Sequence, residues 1–523
     1  MSTKISRRSF VKTVIIGGAA RCALGTGWAG TGEVSPQQSV AIQLCELPGS
    51  ESFSQCHSVR DGTVFAIPPP SRTFDVVIVG GGLSGLTAAY RLRERNILLL
   101  EKDPWVGGNA VIADWKGIQY SVGATVTTGS RSNPRLLYDE LGLKPIQLTP
   151  GFHGIPYFLD GNRILDLEEE FARRYPRATK SFAQFKKDML AMNVEARRLP
   201  LDRVTFAEVL RSYDPAVREW HDVMVDWLCC DSSTTSGLAG VLMSKEWLGI
   251  GSALMSPQAK DAERVTFPGG LGYVSETLRG RIEQAGTGRC VTNAMVYHVA
   301  NSRDAQAEVS FLQGGTPTTV KARAVIVAVP KIIAKYIVKG LPPEQINAID
   351  QLHYTPYLVA ALCSNKVLIN DIPVARCLNS VIGVWDIPDW HEHRGKRDLN
   401  QPAVVRATVP RRSSQRRAVL SDAGVQKLAQ EVVDFLESYY PGTGGKIAEV
   451  RIHRRGHNWF VPVPRAITEY QLRASQPVGQ IFFAHADSVG TISDFDWAIV
   501  AADRALQQVN TSLKRPLGVC TAG

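Results

Sequence analysis

The clearest alternation of apolar and polar positions lies between residues 74 and 101, in the stretch FDVVIVGGGLSGLTAAYRLRERNILLLE. The apolar run at 74–79 has the length of a buried strand, and a glycine-rich turn follows it. Residues 83–93 then place apolar side chains at helical spacing, and 97–100 form a second apolar run. The pattern predicts a strand, a helix and a strand, which is the opening of a β–α–β unit.

Further along the chain, helical patterns dominate up to residue 265, where a glycine turn and a helix follow in FPGGLGYVSETLRGRIE. Three strand-like runs come next, AMVYHVA, AEVSFLQ and VKARAVIVAVP. Residues 336–470 mix strand-like and helix-like segments. The sequence closes with the strand-like QIFFAHAD and the helical FDWAIVAADRALQQV.

The glycines of the first turn have the spacing of a dinucleotide-binding loop. Gly80, Gly82 and Gly85 form G-x-G-x-x-G between the predicted strand and helix. The first glycine permits the tight turn, the second lets a pyrophosphate approach the backbone, and the third lets the helix lie close to the strand. Glu101 ends the next strand, where an acid accepts hydrogen bonds from a ribose. The segment therefore predicts a dinucleotide at a helix N-terminus.

A second glycine pair, Gly107-Gly108, follows Glu101 and indicates FAD as the dinucleotide. With this pair the sequence resembles the flavin-containing amine oxidoreductase superfamily, which includes amine oxidases, L-amino-acid oxidases and phytoene desaturases. The resemblance extends over roughly residues 74–510 and includes FPGG, VKARAVIVAVP and IFFAHAD. It implies an α/β fold with an FAD-binding Rossmann-like domain of the glutathione-reductase type. An α+β substrate domain like that of amine oxidases would be interleaved with it.

The resemblance also implies which residues hold FAD. Val296 would place its backbone against the adenine, and Asp487 takes the position of a carboxylate near the ribityl and phosphate groups. Asn109 stands where the family usually has a phosphate-contacting arginine, and Asp496-Trp497 align with the family's Gly-Ala pair beside the flavin. The expected cofactor-binding residues are Gly80, Gly82, Leu83, Ser84, Gly85, Glu101, Lys102, Gly107, Gly108, Asn109, Val296, Asp487 and Trp497.

The order of these segments predicts two domains, each built from discontinuous pieces. The FAD-binding pieces are residues 74–134, 266–335 and 475–512, and the substrate-domain pieces are 135–265, mainly helical, and 336–474. A leader at 1–30 and a linker or irregular extension at 31–73 precede them, and 513–523 form a tail.

Hydride transfer to a flavin needs few acid–base groups, because the cofactor does the chemistry and the protein orients the substrate. In amine oxidases a lysine near the start of the proline-ending strand holds a water beside the flavin, which points to Lys321, or else to Arg323. A solvated base at the strand end is the alternative reading. Trp459 and Trp497 are candidates for the aromatic residues that flank an amine, with core packing as the alternative.

Composition and charge argue against a nucleic-acid partner, a transmembrane anchor and a metal site. The 523 residues are 44% hydrophobic and 21% charged, as in soluble globular proteins. Half of the net charge of +10 lies in residues 1–30, and the other basic residues are scattered, so no nucleic-acid partner is expected. No apolar run is long enough for a transmembrane anchor. His391-Glu392-His393 lies in a polar loop without a further ligand at fixed spacing, so no metal site is expected.

The leader contains SRRSFVK, with Arg7 and Arg8 adjacent and Phe10 and Lys12 after them. It looks like a twin-arginine export signal, which predicts the twin-arginine translocase as a partner and a periplasmic or secreted location. That route carries folded proteins. It therefore suits a cofactor site assembled from segments near residues 80, 296 and 487.

The main hypothesis is an exported FAD-dependent oxidoreductase that oxidises a C–N bond of an amine or amino acid and passes the electrons to O2. One alternative is a desaturase or dehydrogenase acting on a C–C bond of an apolar compound, with a quinone or another carrier as acceptor. The other is a flavin-binding module without catalysis.

Overall fold

The computed structural model describes residues 41–44, 53–127, 132–151, 154–249, 264–393, 396–492 and 494–514. The strands are β1 (Ala41–Leu44), β2 (Thr73–Val79), β3 (Ile97–Leu100), β4 (Ile112–Trp115), β5 (Ile118–Ser121), β6 (Ile146–Gln147), β7 (Tyr157–Leu159), β8 (Asn162–Ile164), β9 (Val265–Thr266), β10 (Gly288–Val291), β11 (Ala294–Asn301), β12 (Ala307–Gln313), β13 (Thr316–Val327), β14 (His353–Ser364), β15 (Val374–Cys377), β16 (Val384–Asp386), β17 (Ala403–Pro410), β18 (Ile447–Val461) and β19 (Ile481–Phe483).

The α-helices of the described residues lie between these strands, with α4 to α9 in direct succession. They are α1 (Phe53–Arg60), α2 (Leu83–Arg91), α3 (Ser132–Leu141), α4 (Leu167–Arg174), α5 (Thr179–Ala191), α6 (Arg198–Asp202), α7 (Phe206–Val209), α8 (Pro215–Val225), α9 (Gly237–Trp247), α10 (Gly272–Ala285), α11 (Lys331–Ile337), α12 (Pro343–Asp350), α13 (Trp390–His393), α14 (Arg416–Leu420), α15 (Asp422–Tyr439), α16 (Gln471–Ala474) and α17 (Phe495–Leu513).

A seven-stranded sheet carries the predicted nucleotide-binding segments. Its order is β10-β3-β2-β13-β12-β11, with β19 also paired to β13. The strands β10, β3, β2, β13 and β19 run parallel. Along β2, Val76 and Ile78 pack against α2, α10 and α17, whereas Val77 and Val79 pack on the opposite face with α11 and α12. Burial on both faces explains why this strand is a continuous apolar run.

An eight-stranded sheet, mostly antiparallel, forms the second body of the molecule in the order β1-β18-β14-β17-β16-β15-β7-β8. Its long strands β14 and β18 pair along most of their length, and α15 packs on it through one apolar face. Helices α4 to α9 pack around a separate apolar cluster beside it. Apart from β1, its strands come from residues 157–164 and 353–461, within the predicted substrate-domain segments.

The local predictions agree closely with the structure around the first turn. The strand begins one residue earlier than predicted, the helix ends at Arg91 instead of residue 93, and β3 has the predicted bounds. The prediction of an irregular linker at 31–73 is wrong in part, because β1 pairs in parallel with β18 and α1 forms a regular helix. The predicted leader at 1–30 lies outside the described residues.

Among the helices that the structure describes, none combines the length and apolar character that crossing a membrane requires.

Candidate active site

A cavity of about 880 Å³ opens where the two sheets face each other. The seven-stranded sheet contributes the carboxyl ends of β2, β3 and β13, which is where ligands bind in open α/β sheets. The other sheet contributes side chains from β14, β15, β16, β17 and β18. One cavity therefore joins the predicted nucleotide site to the predicted substrate domain.

The glycine turn forms a cradle at one end of the cavity. Gly82 is the N-cap of α2 and has no side chain to cap the helix, so the first N–H groups of α2 remain for a ligand. A Cβ on Gly82 would meet nothing nearer than Gly108 Cα at 3.9 Å, whereas a Cβ on Gly85 would lie 1.9 Å from the carbonyl oxygen of Gly80. Gly82 thus leaves room for a phosphate, and Gly85 permits the close contact of helix and strand. Leu83 and Ser84 line the cavity beside them, and Gly85 does not.

The predicted ribose acid is held in place by backbone groups. Gly81 N–H donates to Glu101 Oε2 at 2.7 Å and Asp103 N–H donates to Oε1 at 2.9 Å. Burial raises the pKa of the Glu101 carboxyl, with Lys102 opposing the shift. Glu101 and Lys102 both line the cavity. Each carboxyl oxygen keeps a lone pair for a ribose hydroxyl.

The predicted adenine strand lies beside this acid. Ala294 N–H donates to the Glu101 carbonyl oxygen at 2.8 Å, and Val296 lines the same end of the cavity. A register shift between Val296 and His298 interrupts the pairing of β11 with β12. Such a bulge re-aims backbone groups, which fits the expected contact through the backbone.

An arginine that the sequence did not reveal lies against the second glycine pair. Gly107 and Gly108 have φ of +118° and +59°, which glycine adopts readily. Arg455 on β18 donates from Nη2 to the Gly108 carbonyl oxygen at 3.0 Å, and it is buried in the cavity wall. Asn109 donates from Nδ2 to Asn458 Oδ1 at 2.6 Å. A cation thus reaches this turn from β18, although Asn109 itself is uncharged.

Asp487 does not itself line the cavity, although its neighbours His485 and Ala486 do, and its contact with the cofactor stays a prediction. Its carboxylate is buried and accepts from Lys331 Nζ at 2.7 Å, Lys331 N–H at 2.8 Å and Tyr354 O–H at 2.6 Å. Burial alone would raise the pKa of Asp487, but Lys331 and His485 outweigh it and hold that pKa well below its usual range. His485 lines the cavity, with Nδ1 3.1 Å from Asp487 Oδ2. The buried ion pair thus supports the wall from behind.

Trp497 also lies away from the cavity, contrary to both roles predicted for it. Its ring packs on Gly490, where a Cβ would lie 2.5 Å from the ring. Its backbone N–H donates to Asp494 Oδ1, the cap of α17, at 2.7 Å. Phe495 and Ala498 line the cavity instead. They share one face of α17 at a spacing of three residues, and Trp497 projects from a different face.

Lys321 is placed at the wrong end of its strand for the predicted water-holding role. It pairs with Thr73 at the start of β2, roughly 23 Å from Ala328 at 3.3 Å per residue. Its Nζ lies 2.8 Å from Asp304 Oδ2 at the surface. Arg323 is nearby, with Nη1 3.5 Å from Asp75 Oδ1. Neither base lines the cavity.

Trp459 does line the cavity, as part of an aromatic cluster that the sequence did not predict. Its ring meets Trp227 edge to face, with centroids 6.0 Å apart and planes at 81°. The Tyr357 ring also contacts Trp459, with ring centroids 5.7 Å apart. All three rings line the cavity, so Trp459, Trp227 and Tyr357 form an aromatic wall in the part of the cavity bounded by the eight-stranded sheet.

His391 lies in the short helix α13 and lines the cavity, so the predicted solvated loop is wrong at this residue. In the ranges described by the structure, no group of three or more metal-ligating side chains is assembled, at His391 or elsewhere.

The cradle, the ribose acid and the adenine strand together fit FAD, and the comparisons with known proteins agree. The family model of flavin-containing amine oxidoreductases matches residues 83–505, so the chain belongs to that family. It is an FAD-dependent oxidoreductase. When bound, FAD supplies a two-electron acceptor.

Relatives cover most of the chain at low identity. Flavin-containing amine oxidase A from Bos taurus is 22% identical over 475 residues, which is 84% of this chain and 85% of the bovine one. Protoporphyrinogen oxidase 2 from Arabidopsis thaliana is 38% identical over 99 residues, 17% of this chain and 20% of the plant protein. Cyclohexylamine oxidase from Brevibacterium oxydans superposes with a TM-score of 0.63 at 17% identity, covering 84% of this chain and 100% of that chain. The last comparison establishes the fold.

We expect Asp487→Asn to lower the free energy of unfolding by about 3–5 kcal/mol, because Lys331 would keep a buried charge without its partner. The measurement is urea denaturation of the FAD-loaded protein. Since the folded pKa of Asp487 is depressed, its contribution is complete above the unfolded pKa of about 3.9 and is lost as the pH falls through the folded pKa. The difference from wild type should therefore shrink below about pH 4.

The control is Asp422→Asn, which removes an exposed pair with Arg454 and should cost at most about 1 kcal/mol. Equal losses in the two variants would contradict a structural role for the buried pair.

We expect Arg455→Met to weaken FAD binding by about 10- to 100-fold, since a charge-assisted hydrogen bond contributes about 1.5–3 kcal/mol. The measurement is FAD released on dilution, followed by flavin fluorescence. Arg454→Met is the matched control, because Arg454 points to the other face of β18 and pairs with Asp422. Equal FAD retention in both variants would show that Arg455 does not contribute to FAD binding.

Proposed function

We propose that this enzyme oxidises the C–N bond of an amine or amino acid and transfers the electrons to O2. The observation that carries the proposal is the aromatic wall of Trp459, Trp227 and Tyr357, which lines the same cavity as the FAD cradle. In the net reaction the substrate loses a hydride from carbon and a proton from nitrogen to give an imine, and O2 is reduced to H2O2.

The aromatic wall suits an amine for two reasons. Ring faces carry partial negative charge and attract cationic nitrogen or polarised N–H groups. The rings also exclude water, so the amine is held by shape and by electrostatics rather than by solvation. The names of the bovine amine oxidase and of cyclohexylamine oxidase support the same substrate class.

A second candidate is a dehydrogenase that acts on a C–C bond of an apolar compound and passes electrons to a quinone or another carrier. One observation favours it. Among the described cavity-lining residues the single lysine is Lys102, which lies beside the ribose acid and not at the aromatic wall. The lysine implied by the resemblance to amine oxidases therefore has no counterpart in the described part of the cavity.

We expect the purified FAD-loaded chain to produce H2O2 in air when primary amines or amino acids are added, and anaerobic addition to bleach the flavin absorbance. Trp459→Leu should lower kcat/KM for such substrates by about 2- to 30-fold, from the 0.5–2 kcal/mol of a cation–π contact. The measurement is a coupled peroxide assay over a panel of amines, amino acids and apolar alkenes.

Bleaching by apolar alkenes alone, with slow reoxidation in air, would replace the proposal with the second candidate. An FAD-loaded protein that no compound bleaches would indicate a flavin-binding module without catalysis.

We also propose that residues 1–30 direct the folded, FAD-loaded protein to the twin-arginine translocase, so that the enzyme acts in the periplasm or outside the cell. The support is the SRRSFVK sequence together with a cofactor site that needs segments from both ends of the chain.

Replacing both Arg7 and Arg8 by Lys should leave an active, FAD-loaded protein in the cytoplasm of a host that has this translocase. Cell fractionation followed by the peroxide assay measures the outcome. Export equal to that of the wild type would show that the paired arginines are not the signal.

A further inference from the structure

A buried arginine in the cavity wall has no partner for part of its guanidinium. Arg264 is 5% exposed, and the Leu148 N–H donates to its carbonyl oxygen at 2.8 Å, which fixes its backbone. Its Nε and Nη1 have no hydrogen-bond partner among the described residues. The side chain lines the cavity. A buried cation with unused donors is costly unless an anion completes it.

Asp386, the acid whose charge acts on Arg264, is already paired with Arg406, and the neighbouring Arg376 is paired with Glu246. Arg376 has Nη2 3.3 Å from Glu246 Oε1, and the Arg406 guanidinium binds both oxygens of Asp386, with Nε at 3.2 and 3.1 Å. Three guanidinium groups therefore share two carboxylates in this wall. Burial lowers the pKa of Arg264 to about 10, with Asp386 opposing the shift and Arg376 adding to it. The surplus positive charge is located at Arg264.

The other acids that line the described cavity are engaged elsewhere. Glu101 and Asp103 lie at the ribose end beside Lys102, and Asp494 caps α17 through the Trp497 N–H.

The position of Arg264 points to the substrate and not to the cofactor phosphates. Its charged neighbours Asp386 and Arg376 belong to β16 and β15 of the eight-stranded sheet, whereas the phosphate cradle follows β2 of the other sheet. Arg376 also lies over the Trp227 ring, 5.3 Å from its centroid. Arg376, whose charge acts on Arg264, is thus in contact with the aromatic wall.

We propose that Arg264 binds a carboxylate of the substrate, so that the enzyme prefers amino acids, or other amines carrying a carboxylate, to the same amines without it. The proposal rests on the amine-oxidising function proposed above and specifies its substrate class. Arg264 forms charge-assisted hydrogen bonds to the carboxylate, while the aromatic wall contacts the amine end.

The test compares matched substrates that differ only in the carboxylate, L-phenylalanine with 2-phenylethylamine and L-leucine with 3-methylbutylamine. We expect wild type to prefer the amino acid of each pair. Arg264→Gln should lower kcat/KM for the amino acids by about 10- to 100-fold, as for the loss of a charged hydrogen bond, and change that for the amines less than about 3-fold. Arg264→Lys should restore part of the loss, and Arg281→Gln, an exposed change on α10, should have no effect.

Two results distinguish a failure of the carboxylate site from a failure of amine oxidation itself. If amines bleach the flavin and the carboxylate gives no preference, or if Arg264→Gln affects both members of a pair equally, the carboxylate site is wrong and amine oxidation stands. If neither member of any pair bleaches the flavin, the proposed function itself fails.

A binding measurement makes the test independent of turnover. Benzoate should raise the melting temperature of the FAD-loaded wild type and not that of Arg264→Gln, and benzyl alcohol should affect neither. Without ligand, Arg264→Gln should melt no lower than wild type, because the change removes a buried charge that lacks a full partner. A lower melting temperature together with an unchanged benzoate shift would assign Arg264 a structural role and overturn the proposal.

Discussion

The buried ion pair between Lys331 and Asp487 is the constraint on which the cavity depends. Lys331 follows β13, Asp487 follows β19, and their shared neighbour Tyr354 lies in β14 of the other sheet. Because an unpaired charge is costly in fully buried surroundings, these three segments are held together. The cofactor cradle and the aromatic wall therefore keep their relative positions before any ligand binds, which reduces the reorganisation needed for reaction.

The cavity is polarised along its length. Acidic side chains lie around Glu101 at the ribose end, and guanidinium groups lie at the end bounded by β15 and β17. Arg376 and Arg406 stand on β15 and β17, so their positions are set by sheet pairing.

The sequence predicts well the residues whose surroundings are formed by adjacent sequence, and poorly those whose partners lie far away in sequence. Gly82 and Glu101 could be placed because the strand–turn–helix pattern defines their surroundings, and Val296 because of the resemblance to the amine oxidoreductase superfamily. Lys331 and Arg455 could not, since their partners Asp487 and Gly108 lie far away in sequence. Trp497 was misplaced because a shift of one residue on a helix changes the face, and Lys321 because strand spacing does not tell which end meets the ligand. Arg264 precedes FPGG by only three residues, so a charged residue leading into that motif was an available signal.

The short parallel pairing of β1 with β18 has a consequence for the chain before the first domain. It covers part of one edge of the eight-stranded sheet, from Glu449 to Ile452. A bare edge strand offers unpaired backbone groups to other chains and promotes aggregation. Residues 41–44 therefore act as a protective strip, and a protein trimmed beyond them would expose the edge of β18 to self-association.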